Sequence, residues 1–195
     1  MALLDLADIS FGRGLRTLAE GLSLSVAPGS VVHLTGPNGA GKTTLLEIAA
    51  GLRRPWQGQR RCEVPLHWLG HRNALAASLS AAQNLQAWAD LQPDAPGSVR
   101  EALHALGVDR VRHRPTRDLS AGQKRRAALA RLLMAKRPLW ILDEPFDGLD
   151  HAGLADLAAL FNDQTARQGA ILVTSHQPLP ARVRCQVVMP LAVLP

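Results

Sequence analysis

The sequence predicts an α/β fold: a mainly parallel sheet, an antiparallel β layer at its edge, and a small helical subdomain. Two observations carry this. The runs "VVHLT" (31–35), "PLWILDEP" (138–145) and "AILVTSH" (170–176) are continuously apolar with β-branched residues, as strands buried on both faces are. Helical patterns lie between them, the arrangement that builds parallel sheets. Upstream, "LLDLADISF" (3–11) and "LSLSV" (22–26) instead alternate apolar and polar residues, as half-buried antiparallel strands do.

Taken in order, the two alternating runs come first, and "APGS" (27–30) turns the chain into the first buried strand. From Lys42 the pattern becomes helical, with Gly51 placed as its C-cap. Residues 52–65, rich in Arg, Pro and Gly, read as loop and turns, and "LHWLG" (66–70) as a short strand. Two helical patterns follow, roughly 80–91 and 98–106. "QPDAPGS" (92–98) breaks them and supplies Ser98 as the N-cap of the second. A further helix runs from "LSAGQ" (119–123) to about Ala135, so residues 73–135 form a helical insert within one domain spanning 1–195. Residues 151–168 are helical and end at Gly169, and "CQVVMPLAVLP" (185–195) holds one more strand at most.

Hydrophobic residues make up 47% of the chain, enough for a buried core. The net charge of +6 invites nucleic acid or an anionic surface, but only three of the 22 basic residues are lysines. Arginine in place of lysine, with no tyrosine at all, reads as base-composition bias in the gene plus a solvated surface. Cys62 and Cys185 stand far apart with no CxxC or Cys/His cluster, which favours a reducing compartment and no zinc site. "MALLDLADIS" lacks the features of a signal peptide. No apolar run approaches the ~20 residues that span a bilayer.

The chemistry is concentrated in three places. "GPNGAGKTT" (36–44) fits G-x-x-x-x-G-K-[ST] between a strand and a helix, the context that motif requires. Gly36, Pro37, Asn38, Gly39, Ala40 and Gly41 would turn backbone N–H groups inward around phosphate oxygens, at a helix N-terminus that favours anions. Lys42 would reach the β- and γ-phosphates, Thr43 would offer its hydroxyl to Mg²⁺, and Thr44 completes the loop. "LWILDE" (139–144) ends an apolar strand in two carboxylates: Asp143 is placed to hold Mg²⁺, and Glu144 to polarise the attacking water. His176 follows the third buried strand, where a ligand crevice would lie.

In order, the chain carries a phosphate loop, "LSAGQ", "ILDEP", "DGLD" and a strand-end histidine. This resembles the nucleotide-binding subunit of ATP-binding-cassette (ABC) transporters over essentially the whole chain. The resemblance implies a P-loop NTPase of ABC type that binds ATP and Mg²⁺ and acts as an ATPase. It implies head-to-tail homodimers in which Ser120, Gly122 and Gln123 of one subunit complete the nucleotide site of the other. "PFDGLD" (145–150) is similar to the family's dimer-contact loop, and His176 to its γ-phosphate sensor. Phe11 lies where an aromatic ring often stacks on adenine, although a core residue of an edge strand is an equal reading. Within "LSAGQKRRAALARLL" (119–133), Leu129, Leu132 and Leu133 pack inward, while the basic residues face solvent or the anionic nucleotide.

"LGHRNALAASLSAAQNL" (69–85), "LDEPFDGLD" (142–150) and "TSHQPL" (174–179) are similar to the cassette subunits of haem export in cytochrome c maturation. That resemblance implies membrane-embedded partner subunits of the cytochrome c maturation system and a peripheral position on the cytoplasmic side of the inner membrane. It implies no nucleic acid. With no CxxCH in the sequence, no haem ligand is expected on this chain. One departure stands out. Where the family has a glutamine that helps position Mg²⁺, this chain has Arg72, which cannot ligate a cation. Either Thr43, Asp143 and water suffice, or Gln83 or another group substitutes. The rival readings are a cassette of another transporter, a soluble cassette acting on ribosomes or DNA, and a nucleotide-gated module that does not hydrolyse.

Overall fold

The computed structural model describes residues 1–92, 94–184 and 187–192; Cys185 lies outside them. The chain divides into two compact units. The first comprises Met1–Gly70, Arg137–Glu144 and Leu160–Pro195, and the second His71–Lys136 with Pro145–Ala159. The second of those two helical-unit segments is not anticipated by the boundary 73–135.

The first unit holds two sheets. β1 (Leu4–Arg13) pairs antiparallel with β2 (Arg16–Val26) on one side and with β4 (Gln57–Arg61) on the other. β4 corrects the expectation of loop over residues 52–65. Its sequence, "QGQRR", is polar on both faces and mostly exposed, so no periodicity announces it. It is recognised as a strand only because β1 offers it an open edge. Charged, short edge strands of this kind also discourage pairing with other chains.

The second sheet is all parallel, in the order β5-β6-β7-β3-β8. It is built from β5 (Leu66–Leu69), β6 (Leu139–Asp143), β7 (Ala170–Thr174), β3 (Val31–Thr35) and β8 (Val187–Pro190). Every residue of β6 and β7 is buried, which explains their unbroken apolar sequences. α1 (Lys42–Ala49) buries Leu45, Leu46, Ile48 and Ala49. These join Leu4, Ile9 and Phe11 of the antiparallel layer and Leu34, Ile141 and Leu172 of the parallel sheet in one cluster. Trp140 of β6 meets Phe161 edge-on at 6.4 Å.

α6 (His151–Ala166) ends before Gly169, as expected, but the left-handed residue there is Gln168, with φ +62°. Gly169 follows against the Gln164 side chain, whose amide donates to the carbonyls of Arg137 and Pro138.

In the second unit, α2 (Ala81–Asp90) opens on a capping box. The Ser80 hydroxyl accepts from the Gln83 N–H, and Gln83 Oε1 accepts from the Ser80 N–H. α3 (Val99–Ala105) is capped by Ser98, as the sequence indicated. α4 (Ala121–Leu129) and α5 (Arg131–Met134) occupy the stretch read as one helix, interrupted at Ala130. Leu85, Leu103, Leu129 and Met134 fill this unit's interior; Leu132 is buried as expected and Leu133 is half-buried.

Phe161 is fully buried in the first unit, so Phe161→Ala is expected to lower the free energy of unfolding by about 3–5 kcal/mol, measured by urea denaturation.

Candidate functional site

Strand register creates the site. Asp143 lies opposite Thr174, and Thr174 opposite Leu34, so β6, β7 and β3 end together. The carboxyl edge of a parallel sheet is where ligands bind in such folds.

The phosphate loop leaves β3 at Gly36. Its φ is +137°, and a Cβ there would come within 2.4 Å of the Leu191 carbonyl oxygen, so only glycine fits. Gly41, at φ +93°, caps α1, and a Cβ on it would lie 2.9 Å from the Phe11 ring. Pro37, Asn38 and Gly39 are exposed, Ala40 is buried, and Thr44 is half-buried in the first turn of α1. The Lys42 ammonium folds over the loop, donating to the carbonyls of Gly36 at 2.7 Å and Pro37 at 3.1 Å.

Phe11 takes the core role. At 1% exposure, its ring packs beneath Gly41 and cannot stack on a base without opening the core. It supports the phosphate loop from below.

Asp143 is buried and bridges two strands and the loop. Its Oδ1 accepts from the Thr174 hydroxyl at 2.6 Å, and its Oδ2 from the Thr43 hydroxyl at 2.9 Å. Thr43 and Asp143 thus converge as a set of hard oxygen donors, the chemistry that suits Mg²⁺, which keeps several of its own waters. Glu144 adopts φ +50°, a left-handed conformation unusual for a residue other than glycine. Its N–H donates to the Thr174 hydroxyl at 3.0 Å, and its Oε2 accepts from the His176 N–H at 2.8 Å, which help to hold it there. The half-exposed His176 ring places Nε2 3.5 Å from Glu144 Oε1.

Two residues escaped the sequence reading. Thr174 links the Asp143 carboxylate to the Glu144 backbone N–H; its only signal was a hydroxyl ending an apolar strand. His33, a lone histidine inside "VVHLT", is 5% exposed and lies 3.3 Å through Nε2 from the Ser175 carbonyl oxygen.

In the second unit, Ser120 and Gln123 form another capping box at the start of α4. Each side chain is therefore engaged with the other residue's backbone N–H. The N–H groups of Ala121 and Gly122 are left as the helix's open donors. A Cβ on Gly122 would fall 2.5 Å from the Gly148 carbonyl oxygen, so the small residue is also demanded by packing.

The basic residues of α4 are not a solvated face. Arg125, 4% exposed, donates through Nη1 to Asn73 Oδ1 at 3.0 Å and through Nε to the Pro145 carbonyl at 3.4 Å. Arg126 pairs with Asp150, and Arg131 donates to the carbonyls of Asn73 and Ala74. Burial pushes the Arg131 guanidinium below its ordinary value. The Gly153 N–H holds the Asp150 carboxyl below the usual carboxylate range, aided by Arg126. Arg72 is exposed. Gln83 Oε1 accepts from the Ser80 N–H as part of the helix cap.

The sequence pattern of the ABC transporter family matches residues 19–147. The chain belongs to the ABC transporter family of ATP-binding-cassette ATPases. Among curated relatives, the cytochrome c biogenesis ATP-binding export protein CcmA of Gluconobacter oxydans is 46% identical, covering 91% of this cassette and 83% of the relative. The protein of the same name from Salmonella typhi is 41% identical, with 91% of each covered. A solved structure described as the ATP-binding subunit of an ABC transporter superposes with a TM-score of 0.80 at 26% identity, covering 89% of this cassette and 79% of that chain.

Burial pushes the His33 imidazole below its ordinary value of 6.5, against the opposing pull of the Ser175 carbonyl. The folded cassette therefore binds this proton less readily than the unfolded chain. The stabilisation is present above the unfolded value and is lost as pH falls through the lowered folded value. Urea midpoints between pH 7.5 and 5.5 are expected to drop more for the native sequence than for His33→Gln, with His176 the titratable neighbour common to both.

Proposed function

We propose that this cassette is the peripheral ATPase of a cytochrome c maturation complex, coupling ATP hydrolysis to haem translocation or to release of a haem-loaded chaperone. The observation that carries the catalytic part is the buried pair at the end of β6, with Asp143 joined to Thr43 and Glu144 held by the His176 N–H. The maturation role is supported by the name its relatives carry.

The inward-facing N–H groups of residues 39–44 cradle the β- and γ-phosphates. Lys42 exchanges two carbonyl acceptors for phosphate oxygens, a stronger, charge-assisted pairing. Thr43 and Asp143 would hold Mg²⁺, which when bound neutralises charge on the β- and γ-phosphates. Glu144 accepts the proton of the attacking water, and the half-exposed His176 ring reaches the γ-phosphate. Two cassettes meet head to tail, so that the open N–H groups of Ala121 and Gly122, at the helix start framed by Ser120 and Gln123, face the nucleotide of the second copy. Arg72 supplies no metal ligand, which leaves Thr43, Asp143 and water to coordinate the ion.

The cassette sits on the cytoplasmic side of the inner membrane through membrane-embedded partner subunits. Among the described residues, no helix is long and apolar enough to cross a membrane itself. The arginines of α4 and α5 favour this reading over a nucleic-acid partner, since Arg125, Arg126 and Arg131 are committed to internal carbonyl and carboxylate acceptors.

Glu144→Gln is expected to slow Mg²⁺-dependent ATP turnover by roughly 10²–10⁴-fold, the usual contribution of a general base, with ATP binding kept. Full turnover in that variant would remove Glu144 from the mechanism. Affinity purification of the cassette from membranes is expected to co-isolate haem-handling membrane subunits; recovery of ribosomes instead would overturn the maturation role.

A further inference from the structure

His33 is a buried, titratable group that the hydrolytic mechanism does not use. It sits in β3, flanked by Val173 of β7 and Val188 of β8. Its Nε2 lies 3.3 Å from the Ser175 carbonyl oxygen. A carbonyl only accepts, so Nε2 carries the proton. The carbonyl belongs to the Ser175–His176 peptide, whose N–H is the one donated to Glu144 Oε2 at 2.8 Å. In a trans peptide the C=O and N–H point in opposite directions. His33 and Glu144 therefore grip the two sides of a single peptide plane.

We propose that His33 is a positioning residue for Glu144: its Nε2–H anchors the Ser175 carbonyl and thereby aims the His176 N–H at the Glu144 carboxylate. This rests on the reading of Glu144 as general base. The chain imidazole N–H to peptide to carboxylate is a short hydrogen-bonded series in a buried setting, where successive bonds polarise one another. Glu144 needs such restraint. It stands in a left-handed conformation, and its N–H is fixed separately by Thr174. The turn that follows is also ordered locally, with the Gln177 N–H donating to Ser175 Oγ at 3.2 Å. Without the His33 anchor, the 175–176 peptide is free to rotate and to withdraw its N–H from the carboxylate. Most ATP contacts lie on the phosphate loop, with the His176 ring alone near the γ-phosphate, so the effect falls chiefly on turnover rather than on nucleotide affinity.

His33 and His176 border a cavity of about 480 Å³ with Thr35, Ser175, Leu179 and Val188, and among the described residues they are the titratable groups that face it. Burial keeps His33 neutral at neutral pH, so it places no charge beside the carboxylate that must accept a proton.

The test compares His33→Leu and His33→Gln in the full chain purified with its membrane partners. Leucine removes the donor, and glutamine places an amide N–H at the reach of Nε2. His33→Leu is expected to lower kcat about tenfold, the value of one lost hydrogen bond, with KM for ATP changed less than about twofold. His33→Gln is expected to restore kcat to within a few-fold of the native chain. In a Glu144→Gln background, His33→Leu is expected to add no further loss. Should leucine prevent nucleotide binding, His33→Asn replaces it: the shorter amide falls short of Ser175, and the same loss of kcat at unchanged KM is expected. Native kcat in His33→Leu or His33→Asn, or equal slowing by glutamine, overturns the proposal while leaving Glu144 in place. An additive loss in the double variant does the same. Full turnover in Glu144→Gln overturns the general-base reading and this proposal with it.

Discussion

The Thr174 hydroxyl sits between Asp143 and Glu144 because β7 lies between β6 and β3 and all three strands end in step. It donates to one carboxylate and accepts from the backbone of the other. A one-residue slip in either pairing would turn Asp143 or Thr174 to the opposite face of the sheet. The register is protected by burial: β6 and β7 are enclosed throughout, so a slip would force every buried side chain to repack against new neighbours. The core thus stabilises the fold and sets the spacing of the site at the same time. Phe11 adds to this from the antiparallel layer, filling the space under Gly41 that any side chain on the phosphate loop would contest.

The helical unit shows how buried arginine can organise loops. Arg125 and Arg131 converge on the backbone and side chain of Asn73 and on Ala74, which has a positive φ of 49°. Arg125 also reaches Pro145, and Arg126 meets Asp150 at the start of α6. One short basic run therefore fixes the loop before α2 and both ends of the segment 145–150. Guanidinium suits this because its planar fork offers several donors in fixed directions, and each internal acceptor it satisfies offsets part of the cost of burying the charge. A lysine at position 125 would offer a single point of attachment. The loop that carries Arg72 is held through its neighbours Asn73 and Ala74.

Much of this was legible in the residues themselves. The phosphate loop, the acidic strand end, the strand-end histidine and the capping residue Ser98 depend on patterns a few residues long. The buried strands depend on unbroken apolar runs. β4 was not legible, since a polar edge strand has no periodicity and takes its conformation from the strand it joins. Phe11 stayed ambiguous because an aromatic residue in an alternating strand has the same pattern whether its ring faces ligand or core. The arginines of α4 were misjudged as a surface, because charge alone suggests solvent and only the fold shows which acceptors lie nearby.

The sequence by itself determined the kind of chemistry: which residues can cradle phosphate, offer oxygen to a hard cation, or accept a proton, and which runs must be buried. The tertiary structure decided which of these meet and what holds them. Thr43 meets Asp143 across 100 positions, Glu144 meets His176 across 32, and His33 meets Ser175 across 142. The physical reason is range. Motifs and periodicity act over a turn of helix or a few strand residues, whereas these contacts exist only through strand order and register, which are properties of the whole sheet.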